Sequence, residues 1–311
     1  FDATYSFNEQ WELIAGLRWD REEQENKADT LYSIDNAAQL PNPATDGLDP
    51  TTAMIVTGMN AKLAKMALDA SGTEPLVGDT FNAFLPKLGI SYHWSDDITT
   101  SFIAQKGYRS GGVGTNVAKS TSHTYDPEYT KNYELSFRSV WLDGSLSFNA
   151  NVFYVDWQDQ QIKVQLSTNQ YDTETKNAGS STVKGFETEL FYQPTNEWSI
   201  YAGVGKSLTN FDEFKVVLPT ETHDLSGRQF AGAPEWTANI GTTYQSDSGF
   251  IVNVNANYVD SSLAIVNPYT QDVELTDSRY DPNNDSRIVV NTRIGYQWDQ
   301  IGIFVTGKNL F

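Results

Sequence analysis

Residues Tyr129–Tyr154 read YTKNYELSFRSVWLDGSLSFNANVFY. Tyr133, Leu135, Phe137 and Trp141 alternate with Asn132, Glu134, Ser136 and Arg138. After Leu142-Asp143-Gly144 the alternation resumes, with Leu146, Phe148, Ala150, Val152 and Tyr154 on the apolar side and Ser145, Ser147, Asn149 and Asn151 on the polar side. Successive strand side chains point to opposite faces, so the stretch predicts a β-hairpin with one apolar and one polar face. Gly supplies the positive φ that a tight turn needs. Each arm is about ten residues long, longer than an ordinary soluble strand and enough to cross a bilayer at a tilt.

The pattern repeats in both directions. Phe1–Tyr5 reads as the end of a strand, and Trp11, Leu13, Ala15, Leu17 and Trp19 alternate with Glu12, Gly16, Arg18 and Asp20. Leu88–Trp94 and Ile98–Tyr108 flank Ser95-Asp96-Asp97. Phe186–Tyr192 and Trp198–Val204 flank the turn 193–197, Trp236–Tyr244 and Phe250–Tyr258 flank 245–249, and Ile288–Tyr296 and Ile301–Val305 flank 297–300. Between these pairs lie long connections near 26–79, 109–126, 158–181, 209–234 and 260–285. The count is about twelve strands, with six short and five long connections in strict alternation, as in outer-membrane barrels. Trp11, Trp94, Trp141, Trp198 and Trp298 lie at short turns, while Trp19, Trp157 and Trp236 lie near long loops, as two interfacial belts require. A soluble β-sandwich would alternate too, but has no reason to sort loop lengths or tryptophans by side.

Composition agrees once barrels are considered. The chain has 311 residues, a net charge of −19, 39% hydrophobic residues and no cysteine. Its mean hydropathy of −0.46 is low, but an alternating strand carries a weak hydropathy signal. No apolar run is long enough for a membrane helix. The absence of cysteine excludes a disulfide scaffold and thiolate metal sites. The acidic balance excludes nucleic acid as a partner, since neutralising phosphate needs Lys and Arg. Within the first long connection, Asp49-Pro50 starts a short amphipathic helix over Thr51–Ala70, whose Met54, Met59, Leu63 and Met66 are expected to pack inward.

Several stretches then match a known family in order. They are Phe84-Leu85-Pro86-Lys87-Leu88-Gly89, Lys106-Gly107-Tyr108-Arg109-Ser110-Gly111-Gly112, Tyr125-Asp126-Pro127-Glu128 leading to Asn132-Tyr133-Glu134-Leu135, and Val152-Phe153-Tyr154-Val155-Asp156-Trp157. Asn177-Ala178-Gly179, Lys184-Gly185-Phe186-Glu187, Ala233-Pro234 and the terminal Gly307-Lys308-Asn309-Leu310-Phe311 follow. The chain resembles the C-terminal part of a TonB-dependent outer-membrane receptor, most like the iron-complex group. The resemblance implies an all-β, transmembrane, antiparallel up-and-down β-barrel of about 22 strands, of which residues 1–311 would form a partial barrel domain. Nothing in the sequence matches the family's plug, its energising motif or its last strand. A half barrel leaves two edges whose backbone groups lipid cannot satisfy, so the chain is expected to be a piece of a longer polypeptide or to be completed by something else.

The implied function is active transport across the outer membrane of a Gram-negative bacterium. A scarce extracellular ligand, a ferric siderophore above all, would be bound and passed inward by a TonB-type energising complex acting through the plug. The surroundings would be outer-membrane lipid and lipopolysaccharide, and iron would belong to the ligand, with no cofactor or metal site in the protein. Cobalamin, oligosaccharide or a nickel chelate remains open as ligand, and a passive channel remains open as function. The ligand-binding candidates are Tyr108, Arg109, His123, Tyr125, Trp157, Tyr171 and Arg228, since Arg suits carboxylate or catecholate oxygens and aromatic rings offer rigid contact. No catalytic residues are expected: His93, His123 and His223 are scattered, and Glu187 and Glu189 read as inner wall with Arg18, Arg138 and Arg293 as cross-strand partners. Asp281, Asn283 and Asp285 match the start of a calcium loop, but Ser286 and Thr292 stand where its Gly and Glu belong.

Overall fold

The computed structural model describes residues 1–167, 169, 171–217, 222–264 and 283–310. In chain order its strands are β1 (Asp2–Ser6), β2 (Trp11–Asn26), β3 (Asp29–Thr30), β4 (Gly72–Thr73), β5 (Val77–Ser95), β6 (Ile98–Arg109), β7 (Gly112–Asn116), β8 (Thr121–Tyr125), β9 (Glu128–Trp141), β10 (Leu146–Gln158) and β11 (Gln161–Gln165). Then follow β12 (Thr173–Asn177), β13 (Ser180–Thr195), β14 (Trp198–Glu213), β15 (Lys215–Val217), β16 (Thr222–Asp224), β17 (Trp236–Gln245), β18 (Phe250–Val259), β19 (Ser262–Leu263), β20 (Asn283–Asn284), β21 (Arg287–Trp298) and β22 (Ile301–Gly307). Helix α1 (Pro50–Asp69) lies between β3 and β4.

Twelve strands form one antiparallel sheet in the order β1-β2-β5-β6-β9-β10-β13-β14-β17-β18-β21-β22. It is an up-and-down wall, open at β1 and β22. The register follows the alternation. Leu135 lies opposite both Phe102 and Val152, and Val152 opposite Phe186, so apolar residues share one face across four strands. That face is bare: Leu135 is 50% exposed, Val152 58% and Ile240 58%. A water-soluble sheet would bury such a face; lipid is the solvent in which exposing it costs nothing. The short-turn end carries the expected aromatics, with Trp11 on Tyr92 at 4.6 Å and Tyr296 on Trp298 at 4.5 Å between ring centres. The indole N–H groups of Trp94 and Trp198 donate to Thr100 and Thr242.

The polar face is the inner one, because the long connections fold over it: a Cβ on Gly111 would fall 2.7 Å from the inward Phe81 ring. Two glycines on this face are required by close approach. The Phe153 ring covers Gly185 on the next strand, and the Tyr201 ring covers Gly241, so that a Cβ at either position would collide.

Four sequence expectations are corrected. The strands outrun the alternation that marked them: β2, β13 and β14 each span 16 residues and β5 spans 19, rising beyond a bilayer's thickness. The long connections are not plain loops, since each contains its own two-stranded ladder. Helix α1 starts as expected, with the Asp49 carboxylate accepting from Thr51 and Thr52 N–H, and keeps the expected length at 20 residues, but it buries none of them. Its Met54, Met59, Leu63 and Met66 face outward instead of packing. Finally, no Lys or Arg reaches Glu187 or Glu189 among the described residues. Arg18 pairs with Asp20 two residues along its own strand, Arg293 lies over the Phe304 ring at 4.0 Å, and Arg138 shares an inner-wall patch with Glu134, Glu187 and Glu189 without an ion pair.

The two faces give a direct test. Leu135→Arg puts a cation into lipid near mid-strand and should destabilise by about 2–4 kcal/mol. Ser136→Arg, one residue on, enters the acidic inner patch and should cost under about 1 kcal/mol. Urea unfolding of the full-length receptor in lipid vesicles checks this, and equal effects at both positions would reverse the assignment of faces.

Candidate functional site

All five long connections leave the same edge of the wall. The largest apolar cluster lies among them rather than in the wall. Val164, Ala178, Phe211, Phe214, Val216 and Leu225 are buried together, with Ile162, Leu166 and Phe230 packed against them. The sequence brings them there because β14 runs past the membrane to carry Phe211 upward. The chain then turns back on itself: Leu225 N–H donates to Phe214 O at 2.8 Å and Gly227 N–H to Phe211 O at 2.7 Å. Phe211 stacks on Phe214 and Phe230 at 5.0 and 4.7 Å. This core joins the β11–β12 hairpin to the β14–β17 connection.

A polar junction joins the β11–β12 hairpin to β7–β8. Asn116 donates to Asp172 at 2.7 Å and Lys119 pairs with the same carboxylate at 3.0 Å. Asn177 and Asp126 exchange two hydrogen bonds of 2.9 Å. Thr175 N–H donates to His123 Nε2 at 3.0 Å, which makes His123 neutral with its proton on Nδ1. The buried Glu128 carboxylate accepts from Gln161 N–H at 2.6 Å and from Arg109 at 2.9 Å. The first connection joins the same assembly through Thr30, whose hydroxyl shares a hydrogen bond with that of Ser120, and through Gly72 O, which accepts from Ser120 Oγ at 3.4 Å. Four of the five connections are thus held as one layer.

The electrostatics follow from these contacts. Burial pushes the Asp172 carboxyl up, but the hydrogen bonds of Asn116, Ser167 and Lys119 outweigh it and hold the group below its ordinary value. Burial likewise opposes ionisation of Glu174, and Lys176 at 2.7 Å overcomes it. For His123 burial dominates, lowering its pKa; neighbouring Glu174 opposes the shift and Lys176 adds to it.

The structure sorts the sequence candidates into three groups. Tyr108, Arg109, His123 and Tyr125 lie near the polar junction: Tyr108 stacks on Tyr129 at 5.5 Å, and His123 on Tyr125 at 6.4 Å. Arg109 is committed to Glu128, and its guanidinium also reaches Gln161 O at 3.5 Å. Trp157 belongs to the second group. It leaves the lipid belt assigned to it, packing edge-on against Phe230 at 6.0 Å beside the loop core. Tyr171 stands exposed at a loop tip, and Arg228 is half-buried with its backbone O accepting from Phe211 N–H. Sequence reading missed the feature between the third and fourth connections, a cleft of about 450 Å³ lined chiefly by Gln160, Gln161, Lys163, Thr173, Phe211 and Phe230.

Among the described residues no acid–base constellation forms. His93 Nδ1 bonds to Thr99 at 3.0 Å and His123 to Thr175, in different layers of the molecule. Among the described residues no group of three His, Cys, Asp or Glu is placed to hold a metal ion. Of the calcium-like motif, Asp281 lies outside the described residues, and Asn283 pairs with Leu263 in the β19–β20 ladder.

The family model of the TonB-dependent receptor-like β-barrel matches residues 1–310. A probable TonB-dependent siderophore receptor, PiuA of Acinetobacter baumannii, is 26% identical over 153 residues, covering 48% of this chain and 20% of that protein. The crystal structure of PiuA superposes with a TM-score of 0.67 at 17% identity, covering 99% of this chain and 38% of that one. The ferric yersiniabactin uptake receptor FyuA of Yersinia pestis gives 0.68 at 15%, covering 99% and 39%. The copper transporter OprC gives 0.64 at 16%, covering 99% and 41%. The chain thus spans about two fifths of these solved chains, and at such identities they share its fold. With a wall of alternating strands, loops layered over its inner face and a family match along 310 residues, the chain belongs to the TonB-dependent receptors, as part of their β-barrel.

Proposed function

We propose that this chain forms part of an outer-membrane receptor of a Gram-negative bacterium that captures a ferric siderophore and passes it inward at the expense of inner-membrane energy. The observation that carries the reading is the loop layer. Connections that served only to join strands would be short; here four of them are locked to one another by a buried core, a polar junction and the Thr30–Ser120 hydroxyl pair. Preorganised loops lose little entropy on binding, which is what capture of a dilute ligand demands. The names of the relatives support iron complexes as the cargo class, and iron is then cargo and not a cofactor of the wall. The open edges at β1 and β22 support a wall completed by further strands, with a plug inside them through which the TonB-type complex pulls. Lipid and lipopolysaccharide would contact the bare apolar face.

Uptake separates this reading from a passive channel. Cells whose only such receptor is the full-length protein should accumulate ⁵⁵Fe from a ferric chelate, and a proton-gradient uncoupler should stop accumulation while surface binding persists. Uptake that continues under the uncoupler would favour the channel.

Acid should loosen the loop layer in two stages. His123 has a folded pKa below its ordinary 6.5, so its contribution is complete above that value and is lost as pH falls below it, when protonated Nε2 meets Thr175 N–H. Asp172 and Glu174 are held below their ordinary 3.8 and 4.5, so their contributions persist above those values and vanish only at lower pH. Hydrogen exchange at Thr175, corrected for intrinsic rate, should therefore quicken between pH 7 and pH 5. His123→Gln, which offers an amide oxygen in place of Nε2, should flatten that dependence.

A further inference from the structure

We infer that the cleft between the β11–β12 hairpin and the β14–β17 connection is a subsite for a flat aryl arm of the ligand, one that carries an O–H or N–H donor beside an anionic oxygen. This rests on the receptor reading above and narrows the chemistry of its cargo.

Three features of the cleft point to such a group. First, at about 450 Å³ it is of small-ligand size, and the Phe211 and Phe230 rings, with Ile162, Ala231 and Ala264, make its apolar lining. Phe230 is braced by Phe211 at 4.7 Å and by Trp157 at 6.0 Å, so its ring is a fixed platform. Flat rings gain about 0.5–1.5 kcal/mol from such stacking beyond the area buried. Second, Gln160 lines the cleft while only 6% exposed, and its Oε1 is buried without a hydrogen-bond partner. A buried acceptor left bare costs about 1–3 kcal/mol, which a ligand donor would recover. The amide of neighbouring Gln161 does not compete for the same partner, because it is spent on Ser110 O and Asp126 O. Third, Lys163 lines the cleft and stands in no ion pair among the described residues, so one cation is left for an anionic oxygen.

The strand ends from which the cleft rises carry the same signature. Trp157 and Ser181 face each other across β10 and β13, and both Trp157 Nε1 and Ser181 Oγ are buried without a partner. An aliphatic chelate arm would leave the ring platform unused. A neutral sugar can lay a C–H face on the Phe230 ring but brings no anionic oxygen to Lys163. The aryl arm is the group that satisfies ring, acceptor and cation together.

The test uses the full-length receptor in detergent with two probes of matched metal, the iron(III) complex of 2,3-dihydroxybenzoate and that of acetohydroxamate. Binding is read by tryptophan quenching and calorimetry. The wild type should bind the aryl complex more tightly. Gln160→Leu should weaken that binding about tenfold and leave the hydroxamate complex unchanged. Ala231 is exposed at the cleft wall, so Ala231→Trp should fill the cleft without disturbing the core and abolish the preference for the aryl complex. Near-ultraviolet circular dichroism shows that both variants keep the loop layer. An aryl preference that survives Ala231→Trp overturns the subsite. Cellular uptake of the hydroxamate complex alone overturns the subsite and leaves the receptor reading standing. Uptake of neither complex overturns both.

Discussion

A wall that faces lipid must satisfy every backbone N–H and C=O within itself, since hydrocarbon offers no partner. That constraint organises the whole chain. It demands continuous ladders, which β2 to β22 supply, each strand hydrogen-bonded to the next in sequence within the wall. It demands that turns at one end be as short as chemistry allows, hence positive φ at Leu142, Asp143 and Gly144 in the central hairpin. It leaves only β1 and β22 with one free side each.

The same constraint turns the usual distribution of side chains inside out. Apolar residues such as Leu135, Val152 and Ile240 belong on the outside, and few turn inward, among them Phe81, Ala83 and Leu85 of β5. The inner face is otherwise built from amides, hydroxyls and charges, as in the column Asn253, Asn255 and Asn257 with Asn291 beside it. Aromatic rings laid over glycine fill the gaps between strands, with Phe153 over Gly185 as the clearest case. Ionic pairing plays little part there: Arg18 finds Asp20 on its own strand before it can reach a neighbouring one.

What could be read from sequence was whatever obeyed this constraint over many residues. Strand count, alternation of connection lengths and the apolar face all came from patterns longer than about eight residues, and the helix start at Asp49-Pro50 from a purely local cap. What escaped was short or non-local. The β7–β8 hairpin is five residues a side, and Gly112 and Gly114 remove the side chains that would have shown its period. Helical spacing of Met54, Met59 and Met66 reveals an apolar stripe but not what covers it, and among the described residues nothing does. Phe211 alternates correctly with its strand, yet its burial depends on Phe214, Val216 and Leu225 folding back over it. Of the seven candidate residues, Arg109 was chosen for its charge, but Glu128, nineteen positions further on, had already claimed it. Gln160 gave no signal at all, because an unsatisfied amide is a property of its surroundings.

These facts separate the two tasks of the chain. Wall stability resides in ladders and a lipid-facing surface that any ligand leaves untouched. The loop layer cannot borrow hydrophobic free energy from that surface, which points away from it, so it carries its own core at Phe211, Phe214 and Leu225 and its own polar ties at Asp172 and Glu128. A layer stabilised independently of the wall can change its lining residues without unfolding the barrel. That is the physical reason one wall architecture can underlie a siderophore receptor and a copper transporter alike, with TM-scores of 0.67 and 0.64 to this chain. On the subsite reading, the choice of ligand falls to the cleft that Gln160, Lys163 and Phe230 line, side chains that contribute little to the ladders beneath them.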